Sequence, residues 1–256
     1  MIKANGKKIL KMLKKEDVVL DVGGWDKPFN RANYVLDIQP YKTRGFHGNQ
    51  GGNKEYFTEK TWIVHDISSK KKLPFKDKFF DFVICSHVLE DIRDPLWLCS
   101  EIIRVSKKGY IEFPSIFAEL TKGYDNYKYV GYYHHRWLIE LKNKELFFRF
   151  KPHFIHNDKR YHFPKNYLKN LKENEVNTYF FWEDKFYFSE IIQISRDKIK
   201  KYLNKIILKK GYRRKITLFL NFLDKIKYNY KLIKKRFYKD AYCPRYMDVE
   251  EYHSKV

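Results

Sequence analysis

Three features of this 256-residue chain predict an α/β fold built on a doubly wound, mostly parallel sheet. Short apolar runs alternate with helical or loop crossovers, which joins consecutive strands side by side in the same direction. The first run, VVLD, is followed at once by Gly23 and Gly24, and the second, YVLD, ends in Asp37. A glycine turn after one strand and an acid closing the next is the layout of a nucleotide-type cofactor site at the edge of a parallel sheet. Further on, RWLIEL and ELFFRF flank the polar KNK, the signal for an antiparallel hairpin over residues 136–150.

Taken in order, the elements begin with a short basic helix at residues 7–15, whose apolar side is Ile9, Leu10, Met12 and Leu13. Strands are expected at 18–21, 34–36, 62–65, 80–85 and 110–113. Between the last two, DPLWLCSEIIRV reads as a helix with Asp94 as N-cap and Pro95 in the first turn. Leu96, Leu98, Ile102, Ile103 and Val105 face inward. The segment at 41–57, with Gly45, Gly48, Gly51 and Gly52, stands where a helix between the second and third strands belongs. It reads either as a lid, with Arg44 and His47 facing a pocket, or as a decorated surface loop. The aromatic run TYFFWEDKFYFSEIIQIS adds a strand or packs over the sheet. A catalytic domain at 1–195 is then followed by a lysine-rich helical appendage at 196–256.

The formal charge of +22 is unevenly distributed, since residues 196–240 hold 17 Lys and Arg against three Asp, a net +14. Only 12 of the 53 basic residues are Arg, which weighs against bidentate recognition of phosphates or bases. Lysines mixed with Ile199, Leu203, Ile206, Ile207 and Leu218 suit an anionic membrane surface, or a solvated face closing the catalytic domain. Nucleic acid is the less favoured partner. Three cysteines without metal-type spacing indicate a reducing compartment. No window has the length of a membrane span, so a cytoplasmic protein, at most peripheral to a membrane, is expected.

The stretch LPFKDKFFDFVICSHVLEDIRDP, at 73–95, completes the pattern. Together with the glycine turn and the acids, it resembles class I S-adenosylmethionine-dependent methyltransferases of the type 11-like subgroup. The similarity covers roughly residues 17–115. It implies a Rossmann-like domain, S-adenosylmethionine as cofactor and methyl transfer (EC 2.1.1). It also implies a cofactor set of Asp21, Gly23, Gly24, Asp37, Ile38, Asp66, Ile67 and Ser86. Asp37 would accept from the ribose hydroxyls, while Asp66 and Ile67 would flank the adenine. The pattern's third glycine is missing, and Trp25 and Asp26 follow the glycine pair instead.

Methyl transfer needs alignment and, for poor nucleophiles, a base. His87, just past the fourth strand, and His134, on the loop before the hairpin, are the candidates, each with a plain structural role as the competing reading. Arg136 is available to an anionic group. HFIH at 153–156, with His162, matches no closed zinc set, so no metal is expected. The expected acceptor is a small or glycan-like molecule, since the resemblance implies relatives in surface-polysaccharide or lipid-linked sugar synthesis. The alternative is a catalytically idle fold serving as a binding module, recruited to a membrane or nucleic acid by its basic tail.

Overall fold

The computed structural model describes residues 1–165 and 167–209, and beyond them Phe222, Leu223, Ile226 and Tyr230. It forms two compact units, Met1–Ile207 and Leu208–Val256. Most of the appendage expected from the sequence, with its proposed membrane or nucleic-acid partner, lies outside the described residues.

The first unit opens with α1 (Lys3–Met12) and then lays down β1 (Val19–Val22), β2 (Tyr34–Asp37), β3 (Trp62–Val64) and β4 (Phe82–Ser86). After these come α2 (Pro95–Val105), β5 (Lys108–Pro114) and α3 (Ile116–Glu119). The hairpin is β6 (Trp137–Lys142) and β7 (Glu145–Phe150), followed by α4 (Glu173–Val176), β8 (Asn177–Glu183), β9 (Tyr187–Glu190) and α5 (Arg196–Lys209). A six-stranded sheet runs in the order β3-β2-β1-β4-β5-β8. Its first five strands are parallel, and β8 lies antiparallel along β5. Strand order reverses between β1 and β4, which opens a crevice at their carboxyl ends.

Sequence dictates this arrangement through burial. All four residues of β1 are buried, as a central parallel strand covered on both faces requires. Leu20 and Val22 point to one layer with Val83, Cys85, Ile111 and Phe113, and α2 and the hairpin cover it. Val19, Val35, Phe82, Ile84 and Tyr110 point to the other layer, against Ile9 of α1. Neither the β1–β2 nor the β2–β3 crossover contains an α-helix. The layer such helices would fill is occupied by α1, with Asn5 donating to the Tyr110 hydroxyl at 2.8 Å, and by Phe29, Ala32 and Phe57 from the loops.

The α2 helix begins as its sequence prescribes. Asp94 caps it by accepting from Trp97 N at 3.0 Å, and Pro95 sits in the first turn. Leu98, Ile102 and Val105 are buried, and Leu96 and Ile103 are packed at the edge of the core.

The hairpin forms at the expected place but does not extend the main sheet. With β9 it makes a separate three-stranded sheet, in the order β6-β7-β9. The physical reason is facial. Trp137, Ile139, Leu146 and Phe148 give the hairpin an apolar side that joins the core, while Glu140 and Arg149 are paired on the opposite side, next to Tyr202 of α5. By contrast β8 is aromatic on both faces, with Phe180 and Trp182 toward one layer and Tyr179 and Phe181 toward the other. It therefore suits a position between two layers. On α5, Ile199, Leu203 and Ile207 are buried, so the first unit takes in the start of the lysine-rich segment.

Candidate functional site

A cavity of about 550 Å³ lies at the carboxyl end of the parallel sheet. Its walls come from four consecutive strand ends. Gly23 follows β1, Leu36, Asp37 and Ile38 close β2, and His65 to Ser68 follow β3. His87, Val88, Asp91, Ile92 and Arg93 follow β4. Arg136, from the start of the hairpin, completes the rim.

The glycine pair is required by packing as well as by the turn. Gly23 has φ +74°, and a Cβ there would lie 2.2 Å from Val88 Cγ2. A Cβ on Gly24 would lie 2.4 Å from Asp21 Oδ2. Asp21 does not line the cavity: it is 3 % exposed and accepts from Phe29 N at 2.8 Å. Burial pushes its carboxyl up to about 7, against the lowering effect of that N–H bond. Asp21 and Gly24 thus form one packed unit beneath the turn, while Gly23 alone of the three reaches the cavity wall.

Asp37 stands at the end of β2 with both oxygens engaged by backbone, Oδ1 by Gln39 N at 2.8 Å and Oδ2 by Trp25 N at 3.1 Å. Burial raises its pKa, and these N–H bonds offset part of the rise. Trp25, in place of a third glycine, sends its indole away from the cavity, donating to the Thr43 carbonyl at 2.8 Å and stacking on Phe46. Asp66 both lines the cavity and caps a short 3-10 turn, accepting from Ser68 N at 2.8 Å and Ser68 Oγ at 2.6 Å. Ile38 and Ile67 present aliphatic surface beside these two acids. Two carboxylates for hydroxyl and amine donors, with apolar side chains between them, suit a nucleoside.

His87 adopts φ +58° just past β4, and its ring lies between two buried acids. Nδ1 is 3.2 Å from Glu90 Oε1 and Nε2 is 3.2 Å from Glu112 Oε1. Burial pulls its pKa down, but the bonds to Glu112 and Glu90 outweigh this and lift it to about 9. His87 is therefore an imidazolium at neutral pH, a donor rather than a proton acceptor. Glu112 also accepts from Tyr110 and from Ile2 N, so the clamp is tied into the sheet and α1.

His134 does not line the cavity but stands 3.6 Å from Asp91, which does. Burial holds its pKa below the usual value, so this ring is neutral at pH 7. His135, its neighbour, is buried against Glu119 at 2.5 Å and lies 3.5 Å from Asp91. Sequence alone singles out His134 but not its companions Asp91, His135 and Glu119, and no spacing rule links residues as far apart as 91, 119 and 134. It gives no sign of Arg93 either. Ser86 ends β4 with its hydroxyl buried, behind the cavity wall rather than on it.

In the 41–57 loop, Arg44 is bound to Glu55 at 2.8 Å and lies over the Tyr41 ring, while His47 pairs with Asp26 at 2.6 Å. Neither lines the cavity. Among the 153–156 residues, His156 Nδ1 accepts from Val130 N at 3.0 Å, a structural bond.

Residues 29–111, from the loop after the glycine turn to the middle of β5, match a family model described as a methyltransferase domain. Over that span the chain is similar to methyltransferase domains. The match covers about a third of the chain and begins after Asp21, Gly23 and Gly24.

Solved structures similar to this chain include the PH0226 protein of Pyrococcus horikoshii OT3. That pair is 24% identical, with 44% of this chain and 53% of that one covered, at a TM-score of 0.32. A SAM-dependent methyltransferase from Aquifex aeolicus is 22% identical over 44% of this chain and 65% of its own, with a TM-score of 0.30. An S-adenosylmethionine-dependent methyltransferase from Mesorhizobium loti is 16% identical over 56% and 63%, with a TM-score of 0.32. The chain spans about half the length of the first of these structural relatives. No curated protein sequence matches it. Among the described residues no helix is long and apolar enough to cross a membrane.

Proposed function

We propose that the protein transfers a methyl group from S-adenosylmethionine to a small or glycan-like acceptor bound at the open side of the cavity. The observation that carries this reading is the convergence of Gly23, Asp37, Ile38, Asp66 and Ile67 on one cavity at the strand-order reversal. When bound, the cofactor supplies a methyl group on a sulfonium, displaced in line by the acceptor's nucleophilic atom.

The chain's own residues then have distinct tasks. Asp37 accepts from ribose hydroxyls through the lone pairs its two N–H partners leave, and Asp66 accepts from the base's amine. Ile38 and Ile67 cover the base and exclude water. His87, held as a cation with both ring N–H groups turned to Glu90 and Glu112, lends positive charge to the cavity wall and does not remove the acceptor's proton. Activation of a hydroxyl acceptor falls to the Asp91–His134–His135 group, where a neutral imidazole stands next to a cavity-lining carboxylate. Arg93 and Arg136 at the rim favour an acceptor that carries negative charge, as sugar acids and sugar phosphates do.

Thermal unfolding with S-adenosylhomocysteine tests the reading. At about 100 times its dissociation constant the ligand adds roughly 2.7 kcal/mol to native stability, and Asp37→Ala abolishes the shift. A positive result leads to a methyl-transfer assay with charged and neutral sugar acceptors. One feature favours the idle binding-module reading, namely that the Asp37 carboxylate is already held by Trp25 and Gln39. An unshifted midpoint in millimolar ligand selects it.

A further inference from the structure

We propose that Asp91, His134 and His135 form a binding site for a divalent first-row transition-metal ion at the cavity wall. Three ligand atoms converge there, Asp91 Oδ1 and the Nε2 atoms of the two histidines, all within 4.8 Å of one another. His135 Nε2 is 3.5 Å and His134 Nε2 is 3.6 Å from Asp91 Oδ1. These separations are too long for good hydrogen bonds. They are close to the edge of about 3.4 Å that two ligands span around one ion at about 2.1 Å in tetrahedral geometry, and the third separation is within 4.8 Å.

Two further observations point to an ion rather than a simple charge cluster. Asp91 Oδ1 is buried and has no hydrogen-bond partner among the described residues, although two ring nitrogens face it. A buried carboxylate oxygen in that condition is costly unless something cationic engages it. Next, His135 is oriented from behind. Its Nδ1 lies on the Glu119 carboxylate, whose other oxygen is held by Lys151 Nζ at 2.6 Å, and Tyr132 stacks on the ring at 4.2 Å. A carboxylate on one imidazole nitrogen fixes the proton there and turns the other nitrogen's lone pair outward, the outer-shell arrangement of metal-binding histidines.

Two imidazoles and one carboxylate select a borderline ion such as Zn²⁺, Co²⁺ or Fe²⁺ over Mg²⁺ or Ca²⁺, which favour all-oxygen sets. Three protein ligands leave positions for exogenous oxygen ligands. Because Asp91 lines the cavity, a hydroxyl acceptor is within reach of such a position, where its acidity would rise as that of zinc-bound water does. This last link rests on the methyl-transfer reading above, whereas the metal site itself does not.

The test is metal binding to the tag-free, chelator-treated full chain without cofactor. Calorimetric titration with ZnCl₂ should give one tight equivalent, and Co²⁺ should give the intense visible absorption of a tetrahedral site. Asp91→Asn and His134→Ala, both at partly exposed positions, should each lose that equivalent and that spectrum. Glu119→Gln, which acts only through His135, should weaken binding by roughly 10- to 100-fold. His47→Ala, a histidine paired elsewhere, should change nothing. Equal binding by wild type and His134→Ala, or no binding by wild type, overturns the proposal and leaves the cluster as an ion-pair network. Failure of ligand-induced stabilisation with metal binding intact would count against the methyltransferase reading alone.

Discussion

His87 shows how one side chain's role depends on partners distant in sequence. Its place after β4 is legible in CSHVLE, and so is the nearby Glu90. Its protonation state is not, because Glu112 approaches from the neighbouring strand, 25 residues away. The sign of the resulting pH dependence comes from the raised pKa. Stability from the imidazolium is fully present below the unfolded value near 6.5 and is lost as pH rises through about 9. Asp21, raised to about 7 by burial, acts below that window, removing stability as pH climbs from about 4 to 7 and contributing nothing further above it. Urea unfolding between pH 7 and 9.5 should therefore show wild-type stability falling, with His87→Gln flat over the same range. At pH 7 the variant should be weaker by about 3 kcal/mol, because two buried acids lose their shared cation. A wild-type curve that is level from pH 7 to 9.5 would contradict the clamp.

At the scale of elements, the glycine turn and the acid beneath it behave as one object. The turn is legible in the sequence, but the pattern assigns Asp21 and both glycines to the cofactor. The structure gives Gly24 to Asp21 and Gly23 to Val88, with only Gly23 on the cavity. The side-chain alternation of β1 explains the difference, since Asp21 shares the side of Val19, opposite Leu20 and Val22. Gly24→Ala should cost about 2 kcal/mol in denaturant unfolding, because its Cβ meets Asp21 Oδ2. In an Asp21→Ala background the same substitution should cost much less, giving a non-additive cycle. Additive costs would show that the turn, not the acid, rejects the methyl group. The α2 helix is fully legible because its signals, Asp94, Pro95 and the apolar spacing, are local. The hairpin is legible as a hairpin, but its sheet is not. Only the comparison of its mixed outer face, where Leu138 lies beside Glu140 and Arg149, with the two aromatic faces of β8 decides which one borders β5, and that is a matter of what packs above and below.

Across the whole first unit, the least legible boundary is the one near residue 196, where composition turns lysine-rich. Composition shifts report solvent-facing residues, and the solvent face of α5 is as basic as the sequence C-terminal to it. The side of α5 that matters is apolar: Ile199, Leu203 and Ile207 are at most 7 % exposed, and the Tyr202 hydroxyl donates to Glu140 of the hairpin at 2.7 Å. Three buried aliphatic side chains are worth about 5 kcal/mol at the usual rate for burial. That is a large share of the roughly 5 to 15 kcal/mol that holds a domain of this kind together. A chain ending at residue 195 should thus be markedly less stable than one ending at 209, with a lower urea midpoint and exposed apolar surface on the hairpin. Equal midpoints for the two truncations would move the boundary back to where the composition changes. Because α5 packs on the hairpin, and the hairpin supplies Arg136 to the cavity rim, the longer chain should also bind S-adenosylhomocysteine more tightly than the shorter. The difference in ligand-induced stabilisation at one ligand concentration measures how far the rim depends on that helix.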